Sequence, residues 1–197
     1  MNTRYTKVAI VLHWLIALII FGMLALGWYM SDLPKEAPKL MMLDLFDLHF
    51  HNIQFAEPTS ARSYYFNLHK SFGVTLLALI LFRVYWRVTH LPPALPVSMA
   101  AWQKKAAKAS HHSLYLLMVL MPLSGVIMAT YSKYGIKWFG IPVIKGLDNE
   151  PMREIFKQAH EILAVLLLSV IVIHVLAALK HKFVDKDEVM GRMSFKD

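Results

Sequence analysis

Four long apolar runs dominate this chain, and each is near the roughly 20 residues that an α-helix needs to cross the hydrocarbon core of a bilayer. A chain in lipid must satisfy its own backbone hydrogen bonds, so runs of this length cross a membrane as helices. The sequence therefore predicts an all-α protein of one domain, an integral membrane four-helix bundle. The four predicted spans are residues 8–30, 65–86, 111–130 and 156–179.

The composition agrees with a membrane protein and excludes several kinds of site. Hydrophobic residues make up 57% of the 197 residues, and there is no cysteine. Without thiols, the chain cannot form disulfides, iron–sulfur clusters or covalently attached haem. The net charge of +8 lies mainly in the loops and tails beside the apolar runs, where cationic side chains set orientation and contact lipid headgroups. A lipid bilayer is therefore the expected partner, and a nucleic acid is not.

Lysine and arginine are distributed unequally between the two sides of the predicted bundle. The two termini and the second connecting segment carry twelve of these residues, and the other side carries nine. Because cationic residues accumulate on the cytoplasmic side, both termini are predicted to lie in the cytoplasm. A cleaved secretory signal is the alternative for the first run, but the run is long for one and contains His13, Trp14 and Trp28.

Four histidines lie inside the predicted spans, at two depths. His160 and His174 are fourteen residues apart in the last span, which is close to four helical turns and about 21 Å, so both lie near one face. His13, in the first span, shares the cytoplasmic depth of His174. His69, in the second span, shares the outer depth of His160. Ionisable residues are costly inside a membrane, so these four are functional candidates.

Two inter-helical histidine pairs at two depths are what bis-histidine ligation of two b-type haems requires, since each iron takes one imidazole from either side. The haem propionates would need cations, and Arg83 and Arg87 lie at the cytoplasmic depth while Lys70 lies at the outer depth. The alternative interpretation is simpler. The histidines would then be hydrogen-bond partners between helices, and the cations would extend to the membrane interface.

Further histidines lie near the ends of the spans. His111, His112 and His181 are predicted at the cytoplasmic surface. There they are either solvated or part of a quinone pocket or proton relay, because quinone reduction needs protons and imidazole titrates near neutral pH. His49 and His51 lie in the first connecting segment and are a weak indication of a metal site. The same segment contains an apolar stretch, residues 40–48, which predicts an amphipathic piece on the outer membrane surface.

Several short motifs, taken together, resemble one protein family, the bacterial cytochromes b561, which are also similar to the cytochrome b subunits of membrane hydrogenases. Each motif is short, but together they extend over nearly the whole chain. They are Leu12-His13-Trp14, Leu68-His69-Lys70-Ser71-Phe72-Gly73, His111 eleven residues before Pro122, and Ala159-His160-Glu161 with His174.

The resemblance implies a four-helix bundle in the inner membrane with two non-covalent haem b groups and electron exchange with the quinone pool. It implies that His13 and His174 hold the cytoplasmic haem iron, and that His69 and His160 hold the periplasmic one. His111 and His181 also match family histidines. Some members are described as oxidising superoxide and passing the electron to ubiquinone. The first connecting segment, residues 31–63, is longer than the hairpin that the resemblance leads us to expect, which leaves the outer electron partner open.

We therefore expect an oxidoreductase, a di-haem b-type cytochrome that moves electrons between a periplasmic donor and ubiquinone, in either direction. Superoxide is one candidate donor, although the outer segments show no clear cationic funnel. The first has three basic and five acidic residues, and the third has five basic and three acidic residues. Two alternatives stay open. One is a haem-bearing anchor that relays electrons for a separate dehydrogenase or hydrogenase subunit. The other is a haem-free metal or proton transporter.

Overall fold

Four helices form most of the computed structural model, which describes residues 4–33, 39–44, 52–97 and 99–195. All four are long and apolar enough to cross a membrane, and the predicted fold class is confirmed. Helices of 26 to 31 residues are roughly 39–47 Å long at about 1.5 Å per residue, so their ends extend beyond the hydrocarbon core. They are α1 (Lys7–Asp32), α2 (Ala61–Thr89), α3 (Ala101–Thr130) and α4 (Glu150–Lys180).

Polar residues immediately before three of the helices fix where these helices begin. The side chains of Thr6, Ser60 and Asn149 each accept a hydrogen bond from a backbone N–H of the first turn. Helix α3 begins at Ala101, ten residues before its predicted span, because the sequence after the proline-rich turn is rich in good helix formers. His111 therefore lies almost three turns inside α3, which corrects its predicted place at the start of a helix.

Close backbone packing joins α1 with α2, α2 with α3, and α3 with α4. The main apolar core lies between α1 and α2, whereas α4 buries only Leu167 among its residues. Helix α4 faces α1 and α2 through histidine ring contacts instead. Large apolar side chains cover the outside of the bundle, such as Leu18 at 71% and Val165 at 65% exposure, and a bilayer would cover this surface. The core cluster is Leu12, Ile16, Ile20, Met23, Leu76 and Ile80.

The first and last described residues lie at one end of the bundle, which is also the end where α2 connects to α3. The indole Nε1 of Trp14 donates to the Met193 carbonyl at 2.9 Å, and the Tyr5 N–H donates to the Arg192 carbonyl at 3.4 Å. The Arg192 guanidinium in turn donates to the Ala94 carbonyl. We call this the inner end, after the predicted orientation, and the opposite end the outer end.

A β-hairpin lies in the first connecting segment, at the outer end. Strand β1 (Lys39–Asp44) pairs antiparallel with β2 (Asn52–Ser60). Residues 40–44 of the predicted amphipathic piece are therefore an extended strand, and residues 45–48 lie outside the described part of the chain. His49 and His51 lie outside it as well.

A second hairpin packs on the outer end of α2. It consists of β3 (Ile136–Trp138) and β4 (Ile141–Ile144), and the strands of neither hairpin were predicted. The buried Ser71 hydroxyl accepts a hydrogen bond from the Phe139 N–H at 2.9 Å and lies 3.2 Å from the Lys137 carbonyl. One turn further along α2, the Trp138 indole donates to the Thr75 hydroxyl at 3.0 Å. The hairpin is therefore held directly beside His69.

We expect Ser71→Ala to lower the free energy of unfolding by about 1–3 kcal/mol, because the Phe139 N–H loses its partner in a partly buried position. The measurement is chemical denaturation in detergent. Ser169→Ala is the matched control, since that hydroxyl is exposed and bonds only within α4, to the Val165 carbonyl at 2.9 Å. Equal stability of the two variants would contradict the role given to Ser71.

Candidate functional site

The outer histidine pair joins α2 to α4. The ring centroids of His69 and His160 are 6.4 Å apart and their planes make an angle of 80°. The pocket around them has walls of apolar side chains from α1, α2, α3 and α4, and Lys70 is its one charged lining residue. Gly27 lies against the His69 ring, where an added Cβ would be 3.4 Å from the imidazole. The pocket is an apolar site that contains two groups able to ligate a metal.

The inner end of the bundle contains a cluster of three histidines and one arginine. The ring centroids of His13 on α1 and His174 on α4 are 6.3 Å apart, with an angle of 70° between planes. His111 on α3 lies 5.7 Å from His174 on the same measure. Arg83 on α2 places its Nη2 at 3.3 Å from His13 Nδ1 and donates to the Ala9 carbonyl at 3.4 Å. Each of the four helices thus contributes one cationic or imidazole side chain.

The separation of each pair can be compared with the geometry of a metal held between two imidazoles. An imidazole nitrogen binds a metal at about 2.0–2.1 Å and its ring centroid lies about 1.15 Å behind it, so opposed ligands hold centroids roughly 6.3–6.5 Å apart. The His13–His174 and His69–His160 separations of 6.3 and 6.4 Å agree with this value. The His111–His174 separation of 5.7 Å is shorter than the value for two opposed ligands.

The second nitrogen of each outer histidine has a different environment. His160 Nδ1 lies 3.0 Å from the Met121 carbonyl and 3.0 Å from the Ser124 hydroxyl, both on α3. His69 Nδ1 is buried and has no hydrogen-bond partner among the described residues. The two members of the outer pair are therefore chemically unequal, although both rings are partly buried.

The other predicted cations, Lys70 and Arg87, contact groups other than the paired histidines. Lys70 lies beside His69, but its Nζ donates to the Gly135 carbonyl at 3.0 Å, which helps to hold the second hairpin. The Arg87 guanidinium lies over the Tyr5 ring at 5.8 Å. His112 is exposed, and its Nδ1 lies 2.7 Å from the Lys108 carbonyl. Of the predicted cations, Arg83 therefore has the closest contact with a paired histidine.

His181 lies at the inner end, in a turn that follows α4, and has carboxylate partners. Its Nδ1 is 2.7 Å from Asp187 Oδ2 and 3.3 Å from Asp185 Oδ2. The ligand atoms of these three residues lie within 4.8 Å of one another, but Lys180 already binds both Asp185 oxygens, at 2.7 and 2.6 Å. The Lys180 ammonium offsets the charge of Asp185, so an imidazole–carboxylate pair describes this cluster better than a metal site.

The residues that sequence reasoning missed are those that contact the histidines through backbone or small groups. Met121 acts through its carbonyl, Ser124 through a hydroxyl and Gly125 through the absence of a side chain. The only sequence signal was the Pro122-Leu123-Ser124-Gly125 run inside an apolar span. Such a run predicts an irregular helix rather than a partner for His160.

The comparisons with known proteins can now be set beside this geometry. The family model of prokaryotic cytochrome b561 matches residues 4–196. The chain belongs to the prokaryotic cytochrome b561 family. This confirms the family that the sequence motifs indicated, and a cytochrome b561 is a membrane protein that binds b-type haem. The apolar walls and the spacing of the histidine pairs described above fit such a group.

Relatives of this cytochrome b561 match along nearly its whole length. "Cytochrome b561 homolog 2" of Escherichia coli (strain K12) is 32% identical over 193 residues, which are 96% of this chain and 90% of the relative. "Cytochrome b561 homolog 1" of the same organism is 25% identical, with 96% of each chain covered. A Yersinia pestis protein named "Probable superoxide oxidase CybB" is 24% identical, covering 98% of this chain and 97% of the relative.

We expect His111→Ala to leave the number of haems per chain unchanged, because the His111–His174 separation of 5.7 Å is shorter than the roughly 6.3–6.5 Å of two opposed imidazole ligands. The pyridine haemochrome assay of the purified protein, normalised to protein concentration, measures this number. His174→Ala is the control that should lose haem. Loss of one haem in His111→Ala would show that His111, and not His13, is the partner of His174.

Proposed function

We propose that this cytochrome is a di-haem protein, with His13 and His174 as axial ligands at the inner site and His69 and His160 at the outer site. The observation that carries the proposal is the presence of two histidine pairs, on different helices, with separations of 6.3 and 6.4 Å. When bound, haem b supplies reversible one-electron chemistry at its iron. The protein supplies the ligands, the apolar walls and the spacing between the two sites.

Helix α4 sets that spacing, since it contributes one histidine to each site. Fourteen residues separate His160 from His174, so the two sites lie about 21 Å apart along the helix axis. The two sites would therefore be stacked across the membrane, one near each face. Both termini at the inner end are proposed to lie in the cytoplasm, as the distribution of lysine and arginine favours.

Arg83 is proposed to change partner when the inner site is filled. A guanidinium has only donors, so its contact with His13 at 3.3 Å requires a bare Nδ1 lone pair. A neutral histidine that ligates iron through Nε2 carries its proton on Nδ1 and cannot accept this bond. Ligation would thus release the Arg83 guanidinium, which then lies at the right depth to bind a propionate. A charge-assisted pair in this partly buried place would be strong.

Ubiquinone is the proposed electron partner at the inner end. Ubiquinone takes up two electrons and two protons to form ubiquinol, so its site needs a proton donor. The His181 imidazole, whose Nδ1 lies 2.7 Å from Asp187 Oδ2, is the group proposed to pass this proton. Ser110, which immediately precedes His111 on α3, has a buried hydroxyl without a partner among the described residues and could bind a quinone oxygen.

Superoxide is the proposed donor at the outer end. Two superoxide anions would each lose one electron and leave as dioxygen, which balances the two electrons that ubiquinone takes up. Two observations favour it: one relative is named a probable superoxide oxidase, and three lysines line one pocket in the second hairpin. A cationic surface beside the outer pocket would attract a small anion. The lysines are Lys133, Lys137 and Lys145.

The proposed ligand assignment predicts which substitutions act together. His69→Ala and His160→Ala should remove the same low-spin spectral component, while His13→Ala and His174→Ala should remove the other. Low-temperature absorbance and haem quantification of each purified variant measure this. If His13→Ala and His160→Ala removed the same component, the pairing would be wrong. A colourless wild-type protein would instead favour a haem-free transporter.

The proposed donor predicts a dependence on salt. The bimolecular rate of superoxide with the oxidised protein, followed by pulse radiolysis, should fall as ionic strength rises, because salt screens the attraction of an anion to lysines. The rate should fall further in the Lys133→Ala/Lys137→Ala variant, and a double Ala variant at Lys182 and Lys186, at the opposite end, should not change it. A slow rate indifferent to both changes would favour an anchor that receives electrons from a protein partner.

A further inference from the structure

Three residues of α3 contact the His160 ring, and we call them the seat of His160. They are Met121, Ser124 and Gly125. The Nδ1 atom of His160 lies 3.0 Å from the Met121 carbonyl oxygen and 3.0 Å from the Ser124 hydroxyl oxygen. Ser124 is buried, and its own hydroxyl proton goes to the Met121 carbonyl, at 2.6 Å. Three polar atoms thus meet at one point in an otherwise apolar wall.

The hydrogen positions at this point follow from the chemistry of the groups. A carbonyl oxygen can only accept, so a bare Nδ1 lone pair facing it at 3.0 Å would be repelled. The single hydroxyl proton of Ser124 is already directed to the same carbonyl. His160 Nδ1 must therefore carry the proton and share it between the two oxygens. This leaves the lone pair on Nε2, which is the atom that can bind a metal.

Gly125 determines how closely the ring approaches α3. A Cβ built on this residue would lie 2.8 Å from His160 Cε1, closer than real Cβ atoms approach, and 3.1 Å from Nδ1, tighter than most real contacts. The glycine is therefore required for the ring to reach the Met121 carbonyl. Gly22 on α1 provides a contrast, because an added Cβ there meets nothing within 4 Å.

The partner ligand has no such support. His69 Nδ1 is buried and has no partner among the described residues, so no group there fixes its proton or adds electron density to the ring. A hydrogen bond from Nδ1–H to an acceptor raises the basicity of an imidazole ligand and fixes its orientation. The two ligands of the outer pair therefore differ in strength through their surroundings alone.

We propose that Ser124 and Gly125, together with the Met121 carbonyl, are positioning groups that fix the tautomer of His160 and make it the more basic outer ligand. The inference rests on the proposed ligation of the outer haem by His69 and His160. A more basic ligand stabilises the ferric state, so this seat holds the reduction potential of the outer haem below the value it would otherwise have. The inner haem, with Arg83 near His13, lacks an equivalent seat among the described residues.

The test uses redox titration of the purified, haem-loaded protein, followed by absorbance. Ser124→Ala should raise the midpoint potential of the outer component, identified as the one that His69→Ala removes, and leave the inner component unchanged. Ser169→Ala, which removes an exposed hydroxyl from α4, is the matched control. An outer potential equal to that of the control, or a shift of the inner component instead, would overturn the inference.

A second variant tests the steric part independently. Gly125→Ala should weaken haem binding at the outer site about 10–100-fold, as is typical when the support of a metal ligand is lost. Gly22→Ala is its control and should bind both haems normally. Outer-haem release to apomyoglobin, followed as a rate, measures the effect. Equal release from the two variants contradicts the inference, whereas a wild-type protein that takes up no haem refutes the proposed function and the inference together.

Discussion

The arrangement of the whole bundle depends on placing imidazoles at two depths in an apolar environment. Helix α4 supplies one histidine of each pair. His160 and His174 are fourteen residues apart, so after about four turns they lie on the same face of the helix. Among the four long helices, α4 packs most closely against α3, and it faces α1 and α2 across the histidine contacts. The packing of the bundle and the separations of the two pairs therefore cannot change independently, because a shift of α4 would alter both separations.

The two sites differ in a way that suits electron transfer across a membrane. The outer pair lies in an apolar pocket that Ile136 of the second hairpin also lines, and Ser71 and Thr75 hold this hairpin on α2. The inner pair lies beside a third histidine and an arginine, and the imidazole–carboxylate pair of His181 and Asp187 lies at the same end of the bundle. The outer pair therefore has apolar surroundings, whereas the inner end also contains arginine, imidazole and carboxylate side chains.

The sequence predicted the elements whose signal is local. Each predicted span lies within a helix, because long apolar runs and polar caps act over a few residues. The start of α3 was misplaced by ten residues, since the segment from Ala101 to Ser110 is too polar to count as part of a span and yet forms helix. The prediction therefore placed His111 at the surface, whereas the structure places it in the inner cluster, beside His174. The two hairpins were missed because short strands depend on what they pair with.

What the sequence determined by itself was the family, the number of helices and the depths of the histidines, because apolar length and helical periodicity are properties of single segments. Only the tertiary structure placed the Met121 carbonyl 3.0 Å from His160 Nδ1 and Gly125 against the His160 ring. It also placed the ring centroid of His13 at 6.3 Å, and that of His111 at 5.7 Å, from the ring centroid of His174. These features depend on distances between helices, differing by as little as 0.6 Å, which no segment encodes alone.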